Sequence, residues 1–68
     1  MDIHSKLEFI KHFYVNGRRR ASEGDRGEVV AISGVAGIDM VEVRYCDVKL
    51  EDRKKPLEAV PVNYLMEI

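Results

Sequence analysis

The chain has 68 residues, 46% hydrophobic and 34% charged, with one cysteine and a formal net charge of −1. At that length residues 1–68 make one small domain, which buries only about 60% of its extended-chain surface. The lone Cys46 excludes an internal disulfide and a multi-cysteine metal framework, and no apolar run approaches the ~20 residues that span a bilayer.

A single thiol and the absence of a signal-like N-terminus suit a reducing, cytoplasmic setting. Without a covalent or metal staple, stability must come from packing or self-association. The net charge conceals a polarity. Residues 1–27 hold six Lys/Arg and four Asp/Glu, whereas residues 28–68 hold five and eight.

Residues 3–15 read as a short amphipathic helix. Ser5 and Glu8 have the spacing of a capping box, and Ile3, Leu7, Ile10 and Tyr14 recur at a helical period, with Phe13 widening the stripe. Asn16-Gly17 would end that helix in the left-handed conformation. The competing reading makes Asn16-Gly17 a tight hairpin turn between Phe13–Val15 and Arg18–Arg20.

Arg18–Ser22 reads as a first strand leading to a turn at Glu23-Gly24-Asp25. Glu28–Ser33, rich in β-branched residues, is the second, and Gly34-Val35-Ala36-Gly37 is expected to turn the chain. Asp39–Cys46 is the third strand. Its alternation sets Val41, Val43 and Tyr45 on an inward face, opposite Met40, Glu42, Arg44 and Cys46. Residues 47–56 carry seven charges and read as a solvated loop. Leu57–Val60 and Leu65–Ile68 complete a set of five strands.

Two local motifs bear on architecture. Gly27-Glu28-Val29-Val30-Ala31-Ile32 resembles the KOW-type pattern of a glycine followed by Val two on and Ile five on. Val60-Pro61-Val62-Asn63-Tyr64-Leu65 resembles the apolar-Pro-x-Asn-Tyr-apolar segment near the end of Src-homology-3 domains. The resemblance implies a mainly β fold: a five-stranded Src-homology-3-like small barrel over 18–68 with the N-terminal helix 3–15 packed on it. It also implies a short 3₁₀ turn before the last strand. The KOW family is associated with nucleic-acid binding and transcription. Of the polyproline groove of Src-homology-3 domains only Pro61, Asn63 and Tyr64 have counterparts, so polyproline binding is not expected.

No constellation dictates a reaction, so the chain reads as non-enzymatic and without a cofactor. His4 and His12 lie eight apart, too far for a chelating pair on a helix, and no third metal ligand is evident. Cys46 has no histidine at a coupling distance in sequence and reads as a small packed side chain. The glycines do not form a phosphate-binding loop.

The expected function is a small protein-binding or regulatory module, acting on a protein partner or by self-association. Its contact surface would be Phe9, expected exposed on the helix, with Phe13, Arg18, Arg20 and Tyr64. The alternative is a nucleic-acid binder whose Lys6, Lys11, Arg18, Arg19 and Arg20 grip phosphates. Against both stands a solvated edge of arginines that merely blocks strand pairing.

Overall fold

Period-two burial, not helical period, organises the N-terminal region. The structure is a computed structural model. It describes residues 1–38 and 41–68, and the side chains of all of these except Ala36, Ile38, Val41 and Glu42. Seven strands run in chain order: β1 Lys6–Phe9, β2 Phe13–Val15, β3 Arg18–Ala21, β4 Arg26–Ile38, β5 Val41–Leu50, β6 Leu57–Pro61 and β7 Leu65–Glu67. A 3₁₀ turn at Val62–Tyr64 precedes β7, where the Pro-x-Asn-Tyr resemblance placed it.

The expected helix at 3–15 does not form, and among the described residues there is no α-helix. Leu7 and Phe9 alternate into the core from β1, while Ile3, Ile10 and Tyr14, three of the four residues of the apparent helical stripe, are exposed. Ser5 closes a turn rather than a capping box: its N–H donates to the Asp2 carbonyl, and its Oγ accepts the Asp2 N–H. Asn16 (φ 51°) and Gly17 (φ 77°) are both left-handed. That is the two-residue turn which matches strand twist and joins Val15 directly to Arg18. The competing hairpin reading of Asn16-Gly17 is the correct one.

The strands form a five-stranded antiparallel sheet in the order β6-β5-β4-β1-β7, with β2 and β3 as a separate pair. β6 and β7 are both edges, so the sheet is open. The expectation of a closed barrel with a packed helix is overturned on both counts.

Among the described residues eleven buried apolar side chains form the core, including Leu7, Phe9, Val29, Cys46, Val48, Leu50 and Val60, each at most 1% exposed. Burying a side chain of Leu, Val or Phe size contributes roughly 1.5–3 kcal/mol. The core face of β5 is therefore Cys46, Val48 and Leu50, opposite to the expected face. Tyr45 and Val43 are only half-buried, and the expected facing of Met40, Val41 and Glu42 lies outside the described side chains. The alternation of 41–46 was legible, but its inward sense is decided by the continuation of β5 through the charged stretch expected to be loop.

Gly34-Val35-Ala36-Gly37 does not turn; it runs in β4, paired from Gly34↔Tyr45 to Ile38↔Val41. The glycine that matters to packing is Gly27, paired with both Leu7 and Leu50. A Cβ there would lie 2.4 Å from the Lys49 carbonyl oxygen.

Bulges offset β4 from β5 after Val29 and after Ile32, and β5 from β6 between Cys46 and Val48. At the last of these Ala59 is left-handed (φ 52°), and its N–H donates to Asp47 Oδ1 at 3.1 Å. An L-residue in that conformation is strained by about 1–2 kcal/mol, offset in part by the greater freedom glycine has when unfolded. Ala59→Gly is accordingly expected to stabilise the domain by about 0.5–1 kcal/mol, read as a higher midpoint in urea denaturation.

One charged cluster braces β1 against β4. Glu28 accepts from Lys6 Nζ at 2.6 Å and lies 2.7 Å from His4 Nδ1. The Lys6 hydrogen bond, then that of His4, holds the Glu28 carboxyl at about 2, well below its ordinary 4.5. A carboxyl whose folded value is depressed contributes stability above its unfolded value and loses it as pH falls through the folded one. The Glu28 contribution is thus present above about pH 4.5 and lost on descent toward pH 2. Glu28→Gln should flatten the fall in melting temperature across that window, and an unchanged acid limb would count against this role.

Candidate binding surface at the basic end

Arg18, Arg19 and Arg20 occupy a hairpin arm whose only buried residues are Phe13 and Ala21. The Asn16-Gly17 turn sets the register Val15↔Arg18 and Tyr14↔Arg19, but Phe13 then faces Ala21 rather than Arg20. Arg20 is the extra residue of a bulge, and bulges re-aim a side chain. All three arginines are exposed.

The 51–56 segment meets this arm. The Arg53 guanidinium donates to the Arg20 carbonyl, while Arg20 and Lys55 share a cleft of about 300 Å³ with Phe13, Val15, Pro56, Leu57 and the acidic Glu58. Two basic segments distant in sequence therefore form one end of the molecule. Residues 11–20 hold four Lys/Arg and no Asp/Glu; residues 51–56 hold three and two. With a whole-chain charge of −1, everything outside those two segments carries −6. A near-neutral total thus conceals a cationic end on an acidic body, and such local fields attract anions irrespective of net charge.

Aromatic rings flank the cations. Tyr14, 54% exposed, is the cross-strand neighbour of Arg19 and packs edge-on against His12 with centroids 6.4 Å apart. His12 Nδ1 accepts the Glu23 N–H at 3.0 Å. A backbone N–H can only donate, so Nδ1 there is unprotonated and a neutral ring carries its hydrogen on Nε2. Half-buried Tyr64 stands edge-on to Phe13 at 5.7 Å, and Lys11 Nζ lies 4.8 Å from the Tyr64 ring centroid, within cation–π range.

The expected contact residues divide. Arg18, Arg19 and Arg20 are exposed together, with Lys11 and Tyr64 at the foot of the arm. Phe9 and Phe13, expected in the contact surface, are core residues at 0% and 7% exposure, their rings 6.3 Å apart. Without a helix there is no helix face to present Phe9. Lys6 sits on β1, where Glu28 balances its charge, and does not join the arginine arm. Arg53, Lys54 and Lys55 were missed: their charge was visible, but the fold that lays them beside Arg20 was not.

Neither histidine is in a metal-like setting, and among the described residues no group of three or more His, Cys, Asp or Glu is placed to hold a metal ion. Cys46 is fully buried, and burial, then the Asp47 carboxylate, raises its thiol above the ordinary value, the reverse of what activates a nucleophile. No helix among the described residues is long and apolar enough to cross a membrane. Comparison with protein-family models, curated proteins and solved structures finds no match.

Proposed function

We propose that this chain is a small non-enzymatic binding module that grips the phosphate backbone of a nucleic acid with its basic end. The observation that carries the reading is the meeting of the Arg18–Arg20 arm with Arg53–Lys55, beside an exposed tyrosine. Arginine forks suit phosphate oxygens, and an aromatic face accepts an unpaired base of any identity. The combination favours single strands read without sequence preference.

The kinship expected from residues 27–32 and 60–65 belongs to this proposal. The 3₁₀ turn directly before β7 supports an Src-homology-3-like course of the chain. The KOW-like start supports it less, because Gly27 has its own packing reason at Lys49. Of the expected protein-partner surface, Phe9 and Phe13 are core residues, while Arg18, Arg20 and half-buried Tyr64 stay accessible.

Fluorescence anisotropy with labelled single- and double-stranded oligonucleotides at low salt tests the proposal. Expected is micromolar binding, tighter for single strands, that weakens steeply as salt rises. Absence of binding, or binding unchanged by alanine at Arg18, Arg19 and Arg20, would overturn it.

A further inference from the structure

Beyond Val29 no strand pairs with the outer edge of β4 among the described residues. The last backbone hydrogen bonds on the outer side of β4 among the described residues are His4 N–H to the Val29 carbonyl and Val29 N–H to that of Ser5. β6 pairs with β5 only as far as Tyr45↔Pro61. From Val35↔Arg44 to Ile38↔Val41 no third strand pairs with these two among the described residues. A two-stranded ribbon is marginal in water, whereas three or more strands hold.

The β4 side of this ribbon lacks the charges and proline that commonly blunt an edge. Residues 29–38 contain no charge and no proline, and Ile32 and Val35 are 50% and 59% exposed. Its glycines differ from the others. Gly27 is held by a close backbone approach, and Gly17 and Gly24 by left-handed φ. Gly34 and Gly37 have neither: an added Cβ would meet nothing within 4 Å. Glycine inside a strand weakens it, and it commonly marks a bulge or the close approach of another backbone. Gly34 follows the bulge after Ile32, whereas Gly37 adjoins none and leaves its stretch of edge open to a second backbone.

We infer that the outer edge of β4 at Gly34–Ile38 pairs antiparallel with the same edge of a second copy of this chain. The uncharged edge offers nothing to phosphates or to a charged peptide. It is complementary to itself about a two-fold axis, as closed symmetric dimers require. Pairing converts two marginal ribbons into one four-stranded sheet, β5-β4-β4-β5. A strip this short lies at the small end of interface sizes, so the dimer is weak and reversible. The 51–56 segment leaves β5 at the end opposite the ribbon tip, so the inference is independent of the nucleic-acid reading.

Sedimentation equilibrium on the full chain tests it. The weight-average mass should rise from 7.8 kDa toward twice that between about 10 µM and about 1 mM loading. Raising salt from about 50 to about 500 mM should leave the curve unchanged, because no ion pair is involved. Val35→Lys, at an exposed position, should hold the mass at one chain with an unaltered melting temperature. Met66→Lys, on the edge strand β7, should dimerise like the parent. A parent that stays at one chain, grows beyond two, or dissociates in salt would overturn the inference. So would Val35→Lys dimerising normally, or Met66→Lys abolishing the dimer.

Discussion

Gly27→Ala is expected to be the most damaging conservative substitution in this domain, costing about 2–4 kcal/mol. The new methyl would sit 2.4 Å from the Lys49 carbonyl oxygen and 3.2 Å from the Leu50 Cα. Both obstacles are backbone, in a strand fixed by its pairing with β4 on one side and β6 on the other. No side chain can rotate to relieve the contact, so β4 and β5 must separate where Leu7, Val29 and Leu50 meet in the core. A domain of this length has a total stability of roughly 3–10 kcal/mol at ~0.05–0.15 kcal/mol per residue. The loss is therefore a large share of the whole, and the melting temperature should fall by about 10–25 °C. Gly37→Ala is the control: its Cβ would enter open space, and its effect on folding should stay within about 0.5 kcal/mol. Equal melting temperatures for the two variants would refute the close approach.

The second large effect concerns affinity. Replacing Arg18, Arg19 and Arg20 together by alanine should weaken binding of a single-stranded oligonucleotide on the order of a hundredfold at low salt. Besides Lys11, which lies over the Tyr64 ring, six cations, Arg18–Arg20 and Arg53–Lys55, lie at the basic end. If all meet phosphates, the log–log salt dependence should have a slope of about −4 at ~0.7 per contact, and the triple variant about half that. The arginines are exposed, and Arg20 holds Arg53 through its carbonyl, which alanine retains. Folding stability should therefore be unchanged within about 0.5 kcal/mol. Tyr14→Ala should cost about 1–3 kcal/mol of binding through lost stacking, with little change in salt slope. Lys6→Ala separates surface charge in general from this end in particular. Its ammonium is committed to Glu28, so binding should persist while stability above about pH 4.5 declines and the fall toward pH 2 flattens. An undiminished slope in the triple variant would place the contact elsewhere.

The elements most legible in the sequence are those governed by neighbours along the chain. Asn16-Gly17 marked a point of positive φ, compatible with a helix end as well as with the hairpin turn that forms, and Pro61–Tyr64 carried its 3₁₀ turn for local reasons. The strands at 57–61 and 65–67 followed from short apolar runs between turn residues. Residues 3–15 misled because Ile3, Leu7, Ile10 and Tyr14 mimic a helical stripe, while only Leu7 of these is buried. The true signal was the shorter Leu7/Phe9 alternation, which four residues of strand make weak against a thirteen-residue window. Glycines misled in the other direction. Gly34 and Gly37 were assigned a turn they do not make, since a glycine permits a turn without requiring one.

The sequence by itself determined the predominantly β character of the chain and an arginine run that had to be exposed or paired, and it left Asn16-Gly17 open between a helix end and a hairpin turn. These depend on composition and on steric preferences spanning a few residues. Tertiary structure alone decided which face of β5 is the core, that Phe9 is interior, that the sheet stays open, and that Arg53–Lys55 join Arg18–Arg20. Each of those depends on contacts between residues far apart in the chain. A local pattern specifies alternation but not its inward sense, and it specifies charge but not where in space a second charge arrives.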